Sequence, residues 1–137
     1  MLLVTMITAG FSGLIFLALT WGVVARRVSA KILLGDGGDV QLEQRIRAHA
    51  NFTEHVPLIL ILMAVVELSA GHGSPWLWGA GGLLVLARIA HAIGMIRSSP
   101  NPFRAFGALA SWLLILALSL WALWLGFAPS PGSTDFV

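Results

Sequence analysis

The sequence predicts an all-α integral membrane protein in which four transmembrane helices form a bundle. Of its 137 residues, 58% are hydrophobic and only 10% are charged, whereas a soluble domain has about 25% charged residues. Four apolar segments reach the roughly 20 residues that a membrane-spanning helix needs. Apart from Arg88, the lysines and arginines lie in or beside two connecting loops. We expect one domain over residues 1–137, since no segment remains for a second one.

Helix-breaking residues separate the four predicted spans. The first span ends at a pair of arginines, and the others end in segments rich in glycine, proline and serine, as helix ends commonly do. The spans cover about residues 2–25, 51–70, 76–96 and 103–127. The first lacks the basic start of a secretory signal peptide, so we interpret it as a retained transmembrane helix. The final "PSPGSTDFV" is expected to form a frayed tail.

The distribution of lysine and arginine predicts the orientation in the membrane. The basic loop residues are Arg26, Arg27, Lys31, Arg45 and Arg47 after the first span, and Arg97 and Arg104 after the third. The second loop and both termini contain neither lysine nor arginine. By the positive-inside rule, the two basic loops are cytoplasmic and both termini lie outside.

The loop between the first two spans contains the glycine-rich segment "LLGDGGD". A phosphate-binding loop would also need the lysine and the serine or threonine of the P-loop pattern, and these are absent. We therefore interpret the segment as a tight turn that returns the chain to the membrane. A helix is expected to start again near Val40.

Polar residues follow one face of each of two neighbouring predicted helices. In "RIRAHANFTEHVP", Arg47, Asn51 and Glu54 have the spacing i, i+4, i+7, which places them on one helical stripe. In the third span, Arg88 and His91 are similarly three residues apart. Both stripes lie towards the cytoplasmic ends of their spans.

The depths of two opposite charges suggest a pair. Glu54 lies nine residues beyond Arg45, and Arg88 lies nine residues before Arg97, so each is about 13 Å along its helix from the cytoplasmic end. An unpaired charge at that depth would cost several kcal/mol. We therefore predict that Glu54 and Arg88 face each other inside the bundle.

The remaining polar residues extend this pair into a funnel. Asn51 and His91 lie about one turn shallower, and Arg47 and Arg104 lie at the mouth. Several cations with one carboxylate suit an anionic ligand that also carries an ammonium group, because arginine matches carboxylates with two parallel hydrogen bonds. The alternative is a scaffold in which the Glu–Arg pair only fixes the helix register.

Other polar residues receive structural interpretations. Glu67 is expected to be interfacial or to pack between subunits, His72 to be solvated, and His49 and His55 to be polar residues of a helix face. The chain has no cysteine, which excludes disulfides and thiolate metal sites. We expect no metal site and no nucleic-acid partner.

These motifs resemble the MAPEG family, the membrane-associated proteins in eicosanoid and glutathione metabolism. The family signature of the second helix is similar to R-x-x-x-N-x-x-E-x-x-P, which Arg47, Asn51, Glu54 and Pro57 match. The "ARIAH" segment is similar to its third-helix signature, and "GDGG" is similar to a bacterial subgroup. The resemblance covers nearly the whole chain and implies a location in a bacterial inner membrane.

The resemblance implies a homotrimer that binds glutathione between subunits near the cytoplasm. The positions expected to bind glutathione or shape its site are Arg26, Arg27, Arg47, Asn51, Glu54, Arg88 and His91. Arg104 resembles the arginine that stabilises the glutathione thiolate in some members. The implied activity is a glutathione transferase or peroxidase that acts on a lipophilic electrophile or hydroperoxide from the bilayer, with membrane lipid as a further partner.

The sequence departs from some family enzymes in having no tyrosine. The two positions where those enzymes place tyrosine are Met95 and about Ala108 here. Thiolate stabilisation would therefore come from Arg104, another arginine or a backbone donor. The alternatives are a non-catalytic protein of the same fold that binds a lipid or a partner, a small four-helix transporter, and a haem-binding bundle that uses His55 and His91.

Overall fold

A computed structural model describes residues 1–70, 74–97 and 100–128. Within these residues the chain forms four α-helices and no strand: α1 (Leu3–Ala30), α2 (Val40–Ala70), α3 (Pro75–Met95) and α4 (Pro102–Phe127). Each helix is long and apolar enough to cross a membrane. The predicted all-α, four-helix membrane fold is confirmed. His72 and the predicted frayed tail lie outside the described residues.

Two helices extend beyond the predicted spans at one end of the bundle. Helix α1 continues past its pair of arginines to Ala30, and α2 begins at Val40 as the sequence predicted. The 31 residues of α2 correspond to about 46 Å at a rise of 1.5 Å per residue, whereas the hydrocarbon core of a bilayer is about 30 Å thick. The first turns of α2 therefore extend beyond the hydrocarbon.

Apolar side chains from all four helices form the core of the bundle. The best-buried members include Val4 of α1, Ile59 and Met63 of α2, Leu84 of α3 and Leu118 of α4. Large apolar side chains also cover much of the outer surface. An outer surface of this kind suits a lipid environment, because lipid tails are as apolar as the core itself.

Glycines bring α3 and α4 into close backbone contact. A Cβ atom on Gly107 would lie 2.5 Å from the carbonyl oxygen of Ala87 and 2.5 Å from the Cβ of His91. A Cβ on Gly94 would lie 2.3 Å from the backbone nitrogen of Arg104. Only glycine permits this approach, so these two positions determine where the start of α4 lies against the end of α3.

The connection between α1 and α2 is the predicted tight turn. Gly35, Gly37 and Gly38 have φ values of 65°, 58° and 79°, which favour glycine. Asp39 then caps α2, since its Oδ1 accepts a 2.8 Å hydrogen bond from the backbone nitrogen of Leu42.

Asp39 also forms an ion pair with Arg26, whose Nη2 lies 2.6 Å from Oδ2. The hydrogen bond from Arg26 and the bonds from the first turn of α2 hold the pKa of Asp39 below its usual value. The pair therefore ties the end of α1 to the start of α2.

Glu67 caps the start of α1 at the opposite end of the bundle. Its carboxylate is fully buried and accepts hydrogen bonds from the backbone nitrogens of Val4 and Thr5, both 2.9 Å, and from the Thr5 hydroxyl at 2.8 Å. The first amides of a helix lack partners within the helix and favour a negative charge. The predicted subunit-packing position of Glu67 is therefore wrong, because the residue lies inside its own chain, whereas its predicted depth near the membrane interface stays a prediction.

Candidate functional site

Arg88 joins three helices at one end of the bundle. Its side chain is only 2% exposed. Nη1 donates to Oδ1 of Asn51 on α2 over 2.9 Å, and Nη2 donates to the carbonyl of Gly107 and the hydroxyl of Ser111 on α4. Ser111 in turn donates to the Gly107 carbonyl over 3.0 Å. The polar stripes of α2 and α3 do meet, and α4 supplies the remaining acceptors.

The predicted pairing of Glu54 with Arg88 is wrong. Glu54 is exposed, and within the described residues it makes no hydrogen bond or ion pair. Two side chains at equal depth in the membrane need not point towards each other around their helix axes. The three residues from Asn51 to Glu54 rotate the Glu54 side chain about 60° away from that of Asn51. Instead, Nη1 and Nη2 of Arg88 donate to the uncharged oxygens of Asn51, Gly107 and Ser111, while its buried Nε has no hydrogen-bond partner among the described residues.

His91 lies one turn from Arg88 and contacts the start of α4. Its Nδ1 is 3.2 Å from the carbonyl oxygen of Arg104, so this nitrogen donates the hydrogen bond. Its Nε2 is buried and has no hydrogen-bond partner among the described residues. The ring lies within electrostatic range of Arg88, Arg104 and His55, so the predicted polar residues of α3 and α4 share one neighbourhood.

A hydrogen bond between α2 and α4 shows which residues of the two helices lie level with each other. Nε1 of Trp112 donates to Nε2 of His55 over 3.3 Å. Helices joined by short loops alternate in direction, so α2 and α4 run parallel. Arg47 and Arg104 each precede the bonded residue of their helix by eight positions, which is about 12 Å along the axis. The two arginines therefore lie at the same level.

Three charged side chains on this part of the protein have no partner among the described residues. Arg47, Glu54 and Arg104 are exposed, and their side chains form no hydrogen bond or ion pair with any described residue. We call the region that they define, together with Trp112, the α2–α4 surface. It presents two guanidinium groups and one carboxylate beside the buried Arg88.

The predicted ligand-binding residues of α1 have partners of their own in the structure. Arg26 pairs with Asp39, and Nη1 of Arg27 donates to the carbonyl of Gly35 over 2.8 Å. Both side chains stabilise the connection to α2. Arg27 also lines a small cavity of about 240 Å³ between α1 and α2, together with Thr20 and other residues. A role for either arginine in ligand binding stays a prediction.

Sequence reasoning missed three parts of this site. Ser111 is a small polar residue in an otherwise apolar segment, a signal that pointed to an internal partner. The Gly107 carbonyl left no signal, because a helical carbonyl accepts a second bond only where a neighbouring helix approaches closely. The Trp112–His55 bond was likewise hidden, since the sequence does not show which helices are adjacent.

Four membrane-spanning helices, three of them joined at one end by a buried arginine, define a helical integral membrane protein with a polar site at that end. The chain matches the MAPEG family over residues 5–124, and it belongs to that family.

Curated relatives agree with this assignment. The chain is 29% identical over 123 residues to the inner membrane protein YecN of Escherichia coli strain K12, and the match covers 89% of this chain and 92% of the relative. The protein of the same name from Escherichia coli O6:H1 strain CFT073 matches equally well. With the four apolar helices, these matches support an integral inner membrane protein.

Proposed function

We propose that the protein binds glutathione at the α2–α4 surface and acts as a membrane-bound glutathione transferase or peroxidase. The observation that carries this proposal is the set of unpaired charges on that surface, Arg47, Glu54 and Arg104. Glutathione has two carboxylates and one ammonium group. Guanidinium groups bind carboxylates through paired hydrogen bonds, and a carboxylate binds an ammonium group. Membership of the MAPEG family, which includes glutathione transferases, supports the same ligand.

The exposure of Glu54 supports a site that a second copy of the chain completes. Glu54 lies in the apolar part of α2, yet its side chain is exposed. An intramembrane charge costs several kcal/mol unless it faces a protein interior or a polar cavity. A homotrimer with glutathione between its subunits would cover Glu54. In this arrangement both basic loops face the cytoplasm, and glutathione enters from that side.

Arg104 is the proposed activator of the glutathione thiol. A thiol with a pKa of about 8.5 is mostly protonated at neutral pH, and a nearby guanidinium favours the thiolate. The thiolate then attacks a lipophilic electrophile or hydroperoxide that arrives from the bilayer. The protein contributes positioning and charge, and the absence of cysteine and tyrosine from the chain leaves arginine as the main stabilising group.

The test of this proposal is glutathione-dependent activity towards a chromogenic electrophile in detergent. Arg104→Ala is expected to lower kcat by about 100-fold, as the loss of one charge-stabilising group commonly does. The matched control is Arg97→Ala, because Arg97 is also exposed and its guanidinium lies over the ring of Phe103, at 5.3 Å. That variant should keep its activity. Equal rates for the wild type and Arg104→Ala would remove Arg104 from the mechanism.

A second candidate function, lipid binding without catalysis, is favoured by one cavity. It has a volume of about 520 Å³ between α3 and α4. Its lining consists of apolar residues: Trp76, Gly79, Ala80, Leu83, Leu114, Ala117, Leu118 and Trp121. This function predicts that purified protein retains lipid and that glutathione does not change the melting temperature.

A further inference from the structure

The two ring nitrogens of His55 have different partners. Nδ1 lies 2.9 Å from the backbone carbonyl oxygen of Asn51, and Nε2 lies 3.3 Å from Nε1 of Trp112. A carbonyl oxygen only accepts hydrogen bonds, and an indole N–H only donates them. The proton of the neutral ring is therefore on Nδ1, and Nε2 carries a lone pair.

Among the described residues, Trp112 is the hydrogen-bond partner of this lone pair. The hydrogen bond of 3.3 Å is longer than the usual length of about 2.9–3.0 Å, and Trp112 is 61% exposed. His55 itself is half-buried. A ligand that displaces the indole would meet a ring that the Asn51 carbonyl already holds in one orientation.

His55 lies within reach of the thiol of a ligand on the α2–α4 surface. It follows Glu54 directly and lies one turn beyond Asn51, whose side chain Arg88 holds. Arg47 is about 12 Å nearer the start of α2. An extended tripeptide spans roughly 10 Å, and an arginine side chain adds several Å to that reach. A tripeptide whose carboxylate contacts Arg47 can therefore place its central side chain close to His55.

We infer that His55 is the base that receives the proton of the bound thiol, and that Trp112 covers Nε2 until the ligand displaces it. This inference rests on the proposed glutathione site. The S–H bond breaks, an Nε2–H bond forms, and the electron pair stays on sulfur. When the thiolate has bonded to the electrophile and the leaving group has departed with its electron pair, Nε2 returns the proton to that group or to water.

Two arginines near His55 suit the thiolate product of this transfer. Arg88 of α3 and Arg104 of α4 stabilise the thiolate, and both lie near His91, which is itself within electrostatic range of His55. His91 does not compete for the role, because its Nε2 is buried inside the bundle.

The experiment counts protons when glutathione binds to the purified protein in detergent. Thiolate formation is followed by its ultraviolet absorbance, and proton release is followed with a pH indicator in weak buffer. If His55 takes the proton, the wild type forms thiolate and releases almost no proton. One proton released per thiolate, or binding without thiolate, would overturn the inference. This wild-type count decides the matter even where a variant fails to fold.

Variants assign the retained proton to a residue. His55→Gln is expected either to release about one proton per thiolate or to form at least tenfold less thiolate, with kcat reduced about 100-fold. The matched control is His49→Gln, because His49 also lies on α2 but packs against Phe16 of α1, with ring centroids 4.9 Å apart. If His55→Gln still forms thiolate without releasing a proton, the assignment of the proton to His55 is overturned.

A third variant tests the role of Trp112. Trp112→Phe keeps an aromatic ring at this position but removes the N–H, so this variant should still retain the proton. Loss of proton retention in Trp112→Phe would contradict the role of Trp112 as a cover. If glutathione does not raise the melting temperature of the wild type, that result overturns the proposed function and the inference with it.

Discussion

Arg88 and Glu67 are two charged side chains that the described part of the chain buries in its interior. Arg88 donates to amide, carbonyl and hydroxyl oxygens from two other helices. Glu67 accepts from the backbone and side chain of α1. Burying a charge is costly unless hydrogen bonds satisfy it. Each residue therefore holds helices together, Arg88 at the end with the candidate site and Glu67 at the opposite end.

Replacement of Glu67 is expected to destabilise the fold. Glu67→Ala leaves two backbone amides at the start of α1 without acceptors, and we expect the free energy of unfolding to fall by about 2–3 kcal/mol. Glu43→Ala is the control, because Glu43 is an exposed carboxylate on the same helix; its effect should stay below about 1 kcal/mol. Unfolding in mixed micelles measures both variants, and equal losses would contradict the capping role.

The sequence predicted the interior position of Arg88 but not its partners. Charge at membrane depth showed that Arg88 must face the bundle. The nearest opposite charge, Glu54, was then the obvious partner, and it was the wrong one. A hydrogen bond between Arg88 and Asn51 depends on the rotation of α2, which is set by apolar packing of residues such as Phe52 and Ile59. The capping role of Glu67 likewise depends on how α1 packs against α2.

At the scale of the elements, the contact between α3 and α4 positions the candidate site. Gly94 and Gly107 allow the two backbones to touch, and this brings the Arg104 carbonyl to His91 and the Gly107 carbonyl to Arg88. The sequence predicted both helices and their approximate ends. It did not predict their close approach, because a glycine in a membrane helix can equally face lipid.

Alanine at Gly107 should disrupt this contact. The added Cβ would lie 2.5 Å from atoms of Ala87 and His91, and overpacking of this kind typically costs about 1–3 kcal/mol. Because Arg88 and Arg104 would shift with α4, glutathione-dependent activity should fall as well. Gly126→Ala on the same helix meets nothing within 4 Å and should be neutral or slightly stabilising. The melting temperatures of the two variants are compared by thermal unfolding in detergent. Similar values would contradict the close packing.

The Arg26–Asp39 pair predicts an acid-sensitive contribution to stability. The pKa of Asp39 is lower in the folded state than its usual value, so the unfolded state binds the proton more readily. The contribution is therefore fully present above the unfolded pKa of about 3.9. It disappears as pH falls through the lower pKa of the folded state. Asp39→Asn should remove this part of the stability profile measured from neutral to acidic pH, whereas Glu43→Gln should leave it in place.

At the scale of the whole molecule, the distribution of exposed charge and apolar surface points to a membrane protein whose site is open on one side. Composition and periodicity predicted four helices and the start of α2 at Val40, since both depend on local sequence alone. The relation between neighbouring chains does not follow from local sequence. The exposed carboxylate of Glu54 is the feature of the single chain that most requires burial by another group, and the proposed ligand between subunits would bury it.

The most direct test of the glutathione site is a titration of glutathione followed by melting temperature in detergent, for the wild type, Glu54→Gln and Glu43→Gln. A ligand that binds only the folded state stabilises it by about 2.7 kcal/mol at 100 times its Kd. We predict a saturable rise in melting temperature for the wild type and Glu43→Gln. The curve of Glu54→Gln should move to at least about tenfold higher glutathione concentration, because the ammonium group of glutathione has lost its carboxylate partner. A wild type that does not respond, or three identical curves, would contradict glutathione binding at the α2–α4 surface.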